Sequence, residues 1–167
     1  MKILVLSDSH SALSFMRFCI QNIKPSHIVH LGDHFDDGLA MAQENPEITF
    51  HQVPGNCDRY RCLPWQAETL CYCIAGVKLY MTHGHKQAVK TGTHRLLAEA
   101  EQNAVQAVLY GHTHQAECYQ AESGMWVMNP GSCGSWGGSA GVIEVDGGKI
   151  TACYLVEQAD LVPTDES

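Results

Sequence analysis

The chain begins with the stretch MKILVLSDSH (residues 1–10), in which a short apolar run is followed at once by polar side chains that can bind a metal. Lys2 to Leu6 has the composition of a β-strand, and Asp8 and His10 come directly after it. In α/β sheets, ligand sites collect beyond the carboxyl ends of the strands. The stretch therefore predicts the first strand of an α/β sheet and the beginning of a functional site.

Four later segments repeat this design of a β-like run followed by polar side chains, and each contains a glycine. They are Gly32-Asp33, Gly55-Asn56-Cys57-Asp58, His83-Gly84-His85 and Gly111-His112-Thr113-His114. Glycine permits sharp turns and close backbone approach, and we expect Gly32, Gly55 and Gly111 to serve this purpose where the chain leaves a strand. Although the five strand ends are spread over most of the chain, we expect them to converge on one site.

The rest of the pattern predicts an α/β sandwich in a single domain. Strands are expected at residues 2–6, 27–30, 48–53, 68–74, 77–82, 107–110, 117–120, 126–128, 142–145 and 150–155, and helices at 13–23 and 93–104. Two such halves, one α/β and one rich in strands, can pack sheet against sheet with helices outside. We expect one domain over residues 1–167, with a mobile loop at 131–141 and a frayed tail from about residue 158.

Composition restricts the class of protein before any motif is considered. The 167 residues are 45% apolar, which suffices for one compact core, and no stretch has the pattern of a signal peptide or of a membrane span. The eight cysteines are scattered without a Cys-x-x-Cys spacing, so we expect reduced thiols and a cytoplasmic location. The formal net charge of −8 argues against general nucleic-acid binding, which needs clustered Lys and Arg.

Seven side chains in the five segments are candidate metal ligands, namely Asp8, His10, Asp33, Asn56, His83, His112 and His114. Carboxylate, amide oxygen and imidazole together favour Mn²⁺, Fe²⁺, Ni²⁺ or Zn²⁺ over an all-oxygen Ca²⁺ or Mg²⁺ cage. Seven ligands exceed one tetrahedral site and suit two ions about 3.5–4 Å apart that share a carboxylate. Two divalent ions, less the charges of Asp8, Asp33 and one hydroxide, leave a net positive site that would attract an anionic phosphate.

In this order the five segments resemble the calcineurin-like metallophosphoesterases, and most of all the small bacterial and archaeal phosphodiesterases among them. The similarity extends to the turn Asn129-Pro130-Gly131-Ser132 and so covers most of the chain. It implies a four-layer α/β/β/α sandwich in which a metal-bridging hydroxide attacks phosphorus in line. It further implies that Asp8, His10 and His114 hold one metal, that Asn56, His83 and His112 hold the second, and that Asp33 bridges the two.

Two departures from the family pattern affect the substrate side of the site. Cys57 stands where many members have a histidine that protonates the leaving group, and a similar cysteine occurs in the small phosphodiesterases. Without a proton donor at this position, we expect aryl oxides to leave far faster than alkoxides. The Gly/Ser-rich segment after Ser132 lacks the arginine that members often have there. The predicted catalytic residues are Asn56, Cys57 and His85, and the predicted substrate contacts are Cys57, Arg59, His85 and Trp136.

These observations predict a hydrolase that cleaves small phosphodiesters with two divalent ions, with Mn²⁺ as the expected metal. One alternative is a phosphomonoesterase for nucleotides or sugar phosphates, although few arginines lie near the site to bind a doubly charged phosphate. Another is a noncatalytic metal-binding interaction module, because one similar protein is a subunit of the retromer coat. Lost ligands would indicate such a module, and here the set is complete. No membrane association is expected, and homo-oligomer formation stays open.

Overall fold

The fold consists of two β-sheets packed face to face, with helices on both outer faces. The computed structural model describes residues 1–135 and 137–161. In chain order the elements are β1 (Lys2–Leu6), α1 (Leu13–Ile23), β2 (His27–His30), α2 (Phe35–Glu44), β3 (Thr49–Gln52), β4 (Thr69–Ile74), β5 (Val77–Thr82), α3 (His94–Gln102), β6 (Ala107–Leu109), β7 (Glu117–Gln120), β8 (Trp126–Asn129), β9 (Ser139–Asp146), β10 (Lys149–Glu157) and α4 (Gln158–Leu161), with 3₁₀ turns at Asn56–Asp58 and Val89–Thr91.

Each sheet has five strands, of which three neighbouring strands run parallel. The order is β10-β9-β1-β2-β3 in the first sheet and β4-β5-β6-β8-β7 in the second. Strands β1, β2 and β3 are parallel to one another, as are β5, β6 and β8, whereas the remaining strands pair antiparallel. The carboxyl ends of β1 to β3 therefore meet at one edge of the first sheet, and those of β5, β6 and β8 meet at one edge of the second.

The apolar run of β1 is explained by burial of both faces of its sheet. Val5 packs between the two sheets together with Leu79, and Leu4 packs on the opposite face against Met16 of α1. Leu96 of α3 belongs to a third apolar layer that covers the outer face of the second sheet. A strand that is buried on both faces reads as a continuous apolar run rather than an alternating one. The predicted α/β/β/α sandwich is confirmed.

The predicted strands and helices are present with boundaries shifted by up to three residues, but helices α2 and α4 are missing from the prediction. Four residues separate the end of the second strand from helix α2, and Gly38 interrupts the helical pattern of α2. The first turn carries Asp36 and Asp37, and acidic residues in that position are a signal for the start of a helix. That signal would have identified α2.

Two predictions about irregular segments differ from the structure. The loop that starts at Gly131 is shorter than expected, because β9 already begins at Ser139, and its first residues, 131–133, are buried. A frayed tail is predicted from about residue 158, yet α4 forms one helical turn there, and Asp160 accepts a hydrogen bond from the N–H of Glu157 at 2.7 Å. The rest of the predicted tail, residues 162–167, lies outside the described residues.

Two further observations concern the cysteines and the helices. All eight cysteines carry free thiols, and the sulfurs of Cys118 on β7 and Cys153 on β10 lie 3.5 Å apart. Within residues 1–135 and 137–161, no helix is both long and apolar enough to cross a bilayer.

Candidate metal centre

The predicted ligands come together at the carboxyl ends of β1, β2, β3, β5 and β6. Ligand atoms of Asp8, His10, Asp33 and His114 all lie within 4.8 Å of one another. The Nε2 atom of His83 lies 3.1 Å from Oδ1 of Asn56 and 3.6 Å from Oδ2 of Asp33. The rings of His83 and His112 have centroids 5.0 Å apart. The structure thus gathers all seven side chains into one cluster.

The buried carboxylate of Asp8 is only half satisfied by hydrogen bonds. Its Oδ2 atom accepts from the hydroxyl of Ser7 at 2.5 Å and from the N–H of His112 at 3.1 Å. Its Oδ1 atom accepts no hydrogen bond from the part of the chain that the structure describes, although Nε2 of His114 lies 3.0 Å away. A buried polar atom without a partner costs about 1–3 kcal/mol, and more when it is charged. A cation beside Oδ1 would remove this penalty.

The tautomer of His83 directs a lone pair into the cluster. Its Nδ1 atom lies 2.7 Å from the carbonyl oxygen of Leu31, which can only accept, so Nδ1 carries the proton. In the neutral ring Nε2 is then an acceptor, and it faces the oxygens of Asn56 and Asp33. Acceptors that face one another at these distances repel unless a proton on Nε2 or a metal cation lies between them. The donor set therefore fits a metal ion.

Protonation states in the cluster also suit metal binding. Burial by itself raises the pKa of Asp33, but nearby His83 and the N–H of Cys57, which donates to Oδ1 at 2.8 Å, outweigh it and leave this pKa below its ordinary value. Burial, with the charges of His83 and Lys90, lowers the pKa of His112 to about 4. At neutral pH the carboxylate is charged and the imidazole is neutral, and these are the forms that bind metals.

The backbone adopts left-handed conformations at five of the seven predicted ligands. The φ angles are 51° at Asp8, 41° at His10, 57° at Asp33, 70° at His112 and 60° at His114. For residues other than glycine this conformation costs about 1–2 kcal/mol each. Strain of this kind persists where the surrounding structure over-determines it, and it clusters at functional sites.

Three glycines allow neighbouring strand-end loops to touch, as the sequence predicts. A Cβ on Gly111 would overlap the hydroxyl of Ser7 and lie 2.8 Å from Oδ2 of Asp8. A Cβ on Gly55 would overlap the carboxylate of Asp33, and one on Gly32 would overlap the backbone of Gly55. The candidate ligand loops could not approach one another this closely with larger residues at these positions.

The side chain of Asp58 connects two of these loops, the one that carries Asp33 and the one that carries Gly55. Its Oδ2 atom accepts from the N–H groups of Asp33 and Gly55, and its Oδ1 atom accepts from the N–H of Phe35, each at 2.8 Å. The side chain is fully buried. Asp58 thus positions Asp33 rather than contacting the centre of the cluster.

Asp37 is a supporting residue that sequence reasoning missed together with α2. Its Oδ2 atom accepts from the hydroxyl of Ser9 at 2.7 Å and from the N–H of Ser11 at 2.8 Å. These bonds hold the loop on both sides of His10. The acidic residues in the first turn of α2 were the sequence signal that could have identified the helix and, with it, Asp37.

The turn that starts at Asn129 supports the opposite side of the cluster. The Asn129 amide donates to the carbonyl oxygen of Gly111 at 3.1 Å and to the hydroxyl of Thr113 at 2.9 Å. The hydroxyl of Ser132 donates to the carbonyl oxygen of Asp8 at 2.8 Å. Sequence similarity singled out this turn, but only the structure assigns these contacts to it.

Some of the predicted substrate contacts border a groove next to the cluster. This groove has a volume of about 420 Å³, and Asn56, Arg59 and His85 line it. The Nδ1 atom of His85 is buried without a hydrogen-bond partner among the described residues, and burial lowers the pKa of this ring. Cys57 is exposed on the turn that carries Asn56 but does not line the groove. Trp136 lies outside the described residues.

Fold and donor set together define a class of protein: a two-sheet sandwich that gathers carboxylates, histidines and an amide at its strand ends to bind metal. Comparison with known proteins gives the same result. The calcineurin-like phosphoesterase superfamily domain matches residues 1–148, and the chain therefore belongs to this superfamily. A probable metallophosphoesterase of Mycoplasma pneumoniae is 29% identical over 134 residues, which are 78% of this chain and 78% of that protein.

Solved structures share the fold at lower sequence identity. A predicted phosphoesterase from Streptococcus pneumoniae superimposes with a TM-score of 0.74 at 21% identity, over 95% of this chain and 90% of that chain. Vps29 from Entamoeba histolytica, complexed with Zn²⁺, superimposes with a TM-score of 0.68 at 19% identity, over 95% of this chain and 99% of that chain. Identities this low show a common fold alone.

Proposed function

We propose that this chain is a phosphodiesterase that hydrolyses small phosphodiesters at a site for two divalent metal ions. The observation that carries the proposal is the buried Oδ1 atom of Asp8, which lies among ligand atoms of three other residues and accepts no hydrogen bond from the described chain, although Nε2 of His114 lies 3.0 Å away. Membership of the calcineurin-like phosphoesterase superfamily supports hydrolysis of a phosphate ester.

We assign the ligands to two ions that share Asp33. The first set is Asp8, His10 and His114, and the second is Asn56, His83 and His112. Ligand atoms of the first set and of Asp33 all lie within 4.8 Å of one another, which supports the first ion site. The distance of 3.1 Å between Nε2 of His83 and Oδ1 of Asn56 supports the second ion site. When bound, the ions supply an activated water and offset charge that develops on the phosphate. We propose Mn²⁺, although Fe²⁺, Ni²⁺ and Zn²⁺ suit the same donors.

Three side chains near the groove have roles toward the substrate in this proposal. The guanidinium of Arg59 binds a phosphate oxygen, and the half-buried imidazole of His85 orients the ester by a hydrogen bond. Burial, with the hydrogen bond to Asp33, raises the pKa of Cys57, so its thiol keeps the proton. That proton can pass to a leaving oxygen, which is the role of a general acid.

A phosphomonoesterase is the second enzymatic candidate, and the charges beside the groove weigh against it. Lys86 lies 2.5 Å from the carboxylate of Glu68, and Arg61 lies 3.4 Å from that of Asp36. Only Arg59 among the described groove residues remains as a cation without a carboxylate partner. One cation suits a singly charged diester better than a doubly charged terminal phosphate.

A noncatalytic metal-binding module is the other candidate, and the fold shared with Vps29 is the observation in its favour. The Vps29 structure in that comparison is complexed with Zn²⁺, so bound metal by itself does not distinguish a module from an enzyme. Turnover is the property that separates the two candidates.

The test is metal-dependent hydrolysis of bis(p-nitrophenyl) phosphate and of p-nitrophenyl phosphate. Chelated protein is titrated with Mn²⁺, Fe²⁺, Ni²⁺, Zn²⁺ and Mg²⁺, and chelated protein without metal is the control. We expect cleavage of the diester, strongest with Mn²⁺, and little cleavage of the monoester. Preferred cleavage of the monoester would support the phosphomonoesterase. Two bound ions without cleavage of either ester would support the noncatalytic module.

Replacement of Cys57 tests proton donation to the leaving group. With Cys57→Ala we expect hydrolysis of methyl phenyl phosphate, a poor leaving-group ester, to slow by about 10²-fold, which is the lower end of general-acid effects. Hydrolysis of methyl p-nitrophenyl phosphate should change less than about threefold, because p-nitrophenolate needs no proton to leave. The matched control is Cys73→Ala, another exposed cysteine on β4. Equal slowing of both esters would exclude Cys57 as the proton donor.

A further inference from the structure

The groove beside Asn56 leads from the metal cluster to a wall formed by the loop of residues 59–68. Asn56 and His85 line the end near the cluster, and Leu63, Pro64 and Gln66 line the wall. We call this feature the Leu63 groove. Its volume of about 420 Å³ falls within the range of small-molecule sites, about 300–1,000 Å³. A ligand whose phosphate lies at the cluster can extend directly into it.

The wall of the Leu63 groove is held in place by its own contacts. The N–H of Arg61 donates to the carbonyl oxygen of Asp58 at 2.8 Å, and the N–H of Gln66 donates to that of Leu63 at 2.9 Å. At the far end of the loop, Glu68 is tied to Lys86 by an ion pair of 2.5 Å. The two hydrogen bonds form turns in the loop, and the ion pair lies at its far end, so these contacts shape the segment that lines the groove.

The lining of the Leu63 groove matches the surface of a nucleobase. Leu63 exposes 55% of its surface, and Pro64 beside it is also exposed, so the wall offers an apolar face without a partner. The half-buried amide of Gln66 can donate and accept hydrogen bonds at once. A flat group with apolar faces and a polar edge uses both features, and nucleobases have this character.

The same loop exposes further apolar surface outside the groove. Tyr60 is 92% exposed and Trp65 is 77% exposed, whereas the core of the protein buries most of its large apolar side chains. The apolar character of this loop therefore extends beyond the single wall residue Leu63.

We infer that the Leu63 groove binds the nucleoside on the uncleaved arm of a phosphodiester, so that the preferred substrates are nucleoside 5′-phosphodiesters. This inference rests on the proposed function, because it assumes that the phosphate lies at the metal cluster. The base lies against Leu63 and Pro64, and its polar edge meets Gln66. Arg59, whose guanidinium lies 5.8 Å from the ring of Tyr60, contacts the single phosphate charge.

Two esters with the same leaving group test this specificity. Thymidine 5′-(p-nitrophenyl phosphate) and methyl p-nitrophenyl phosphate both release p-nitrophenolate, and they differ only in the uncleaved arm. For the wild-type protein loaded with Mn²⁺, we expect kcat/KM to be at least about tenfold higher for the thymidine ester, because one buried apolar contact is sufficient for this factor. Equal kcat/KM values for the two esters would contradict the inference.

The variant Leu63→Ser tests whether the preference for the thymidine ester depends on the Leu63 groove. We expect this variant to reduce the ratio of the two kcat/KM values by about tenfold, mainly through a higher KM for the thymidine ester. The matched control is Leu39→Ser on α2, which removes a leucine of similar exposure, 44%, that does not line the groove. An unchanged ratio in Leu63→Ser would overturn the assignment of the groove.

Direct binding separates failure of this inference from failure of the proposed function. Thymidine 5′-methylphosphonate, a singly charged analogue that cannot be hydrolysed at this bond, is titrated into both variants and the wild-type protein, each loaded with Mn²⁺. We expect Kd to rise about tenfold in Leu63→Ser and to stay constant in Leu39→Ser. If neither ester is hydrolysed but this pattern holds, the proposed function fails and the nucleoside site stands. If hydrolysis occurs but Kd is the same in all three proteins, the nucleoside site fails.

Discussion

Asp33→Ala is expected to reduce kcat/KM for bis(p-nitrophenyl) phosphate by about 10³-fold or more, and to lower the bound metal from two ions per chain to one or none. The proposed bridging position explains the size of the effect, because loss of one shared carboxylate weakens both ion sites together. Bound metal ions stabilise the transition state of phosphate hydrolysis by several kcal/mol. A 10³-fold loss in kcat/KM corresponds to about 4 kcal/mol. Steady-state kinetics and elemental analysis of the purified variant measure the two quantities.

Loss of Asp33 is expected to lower the stability of the chelated protein without preventing folding. The carboxylate accepts from the N–H of Cys57 at 2.8 Å, and its pKa lies below the ordinary value, so its charge stabilises the folded state at neutral pH. We expect the chelated variant to unfold cooperatively, with a Tm below that of the chelated wild type. The matched control is Asp36→Ala, which removes an exposed carboxylate three residues further along the chain. Two ions per chain in Asp33→Ala would show that the ligand assignment is wrong.

Asp58→Ala is expected to lower the free energy of unfolding of the chelated protein by about 3 kcal/mol or more. The carboxylate accepts from the N–H groups of Asp33, Phe35 and Gly55, and the change leaves all three without an acceptor. Each buried donor that loses its partner costs about 1–3 kcal/mol, and the side chain of Asp58 is fully buried. Urea denaturation followed by circular dichroism measures the change.

Metal affinity provides a second measurement for Asp58. Because Asp58 holds the backbone of Asp33 and Gly55, we expect the variant to bind metal about 10–100-fold more weakly, as is typical when a supporting residue is lost. Asp58→Asn is the matched variant, since its amide keeps one acceptor oxygen, and its loss of stability should be smaller. If Asp58→Ala unfolded within about 0.5 kcal/mol of the wild type, the three hydrogen bonds would not support the fold in this way.

Sequence reasoning predicted the strands of both sheets, helices α1 and α3 and the candidate ligands because these features depend on short-range patterns. The apolar run of Lys2–Leu6 and the hairpin at residues 75–76 each depend on a few neighbouring residues, and both are confirmed. Helix α2 was missed because Gly38 weakens the local pattern, whereas packing against β3 and α1 stabilises the helix. Local preference and tertiary packing disagree in that segment.

The sequence by itself determined which chemical groups the site contains, because the carboxylate, amide and imidazole groups directly follow the five predicted strands along the chain. The tertiary structure alone decides which nitrogen of His83 is protonated, because that depends on the carbonyl oxygen of Leu31, 52 positions away in the chain. It likewise decides that Oδ1 of Asp8 accepts no hydrogen bond from the described residues and that Leu63 faces a groove beside Asn56. Hydrogen bonds and cavities of this kind arise between segments that are distant in sequence. They exist only once the two sheets have packed together.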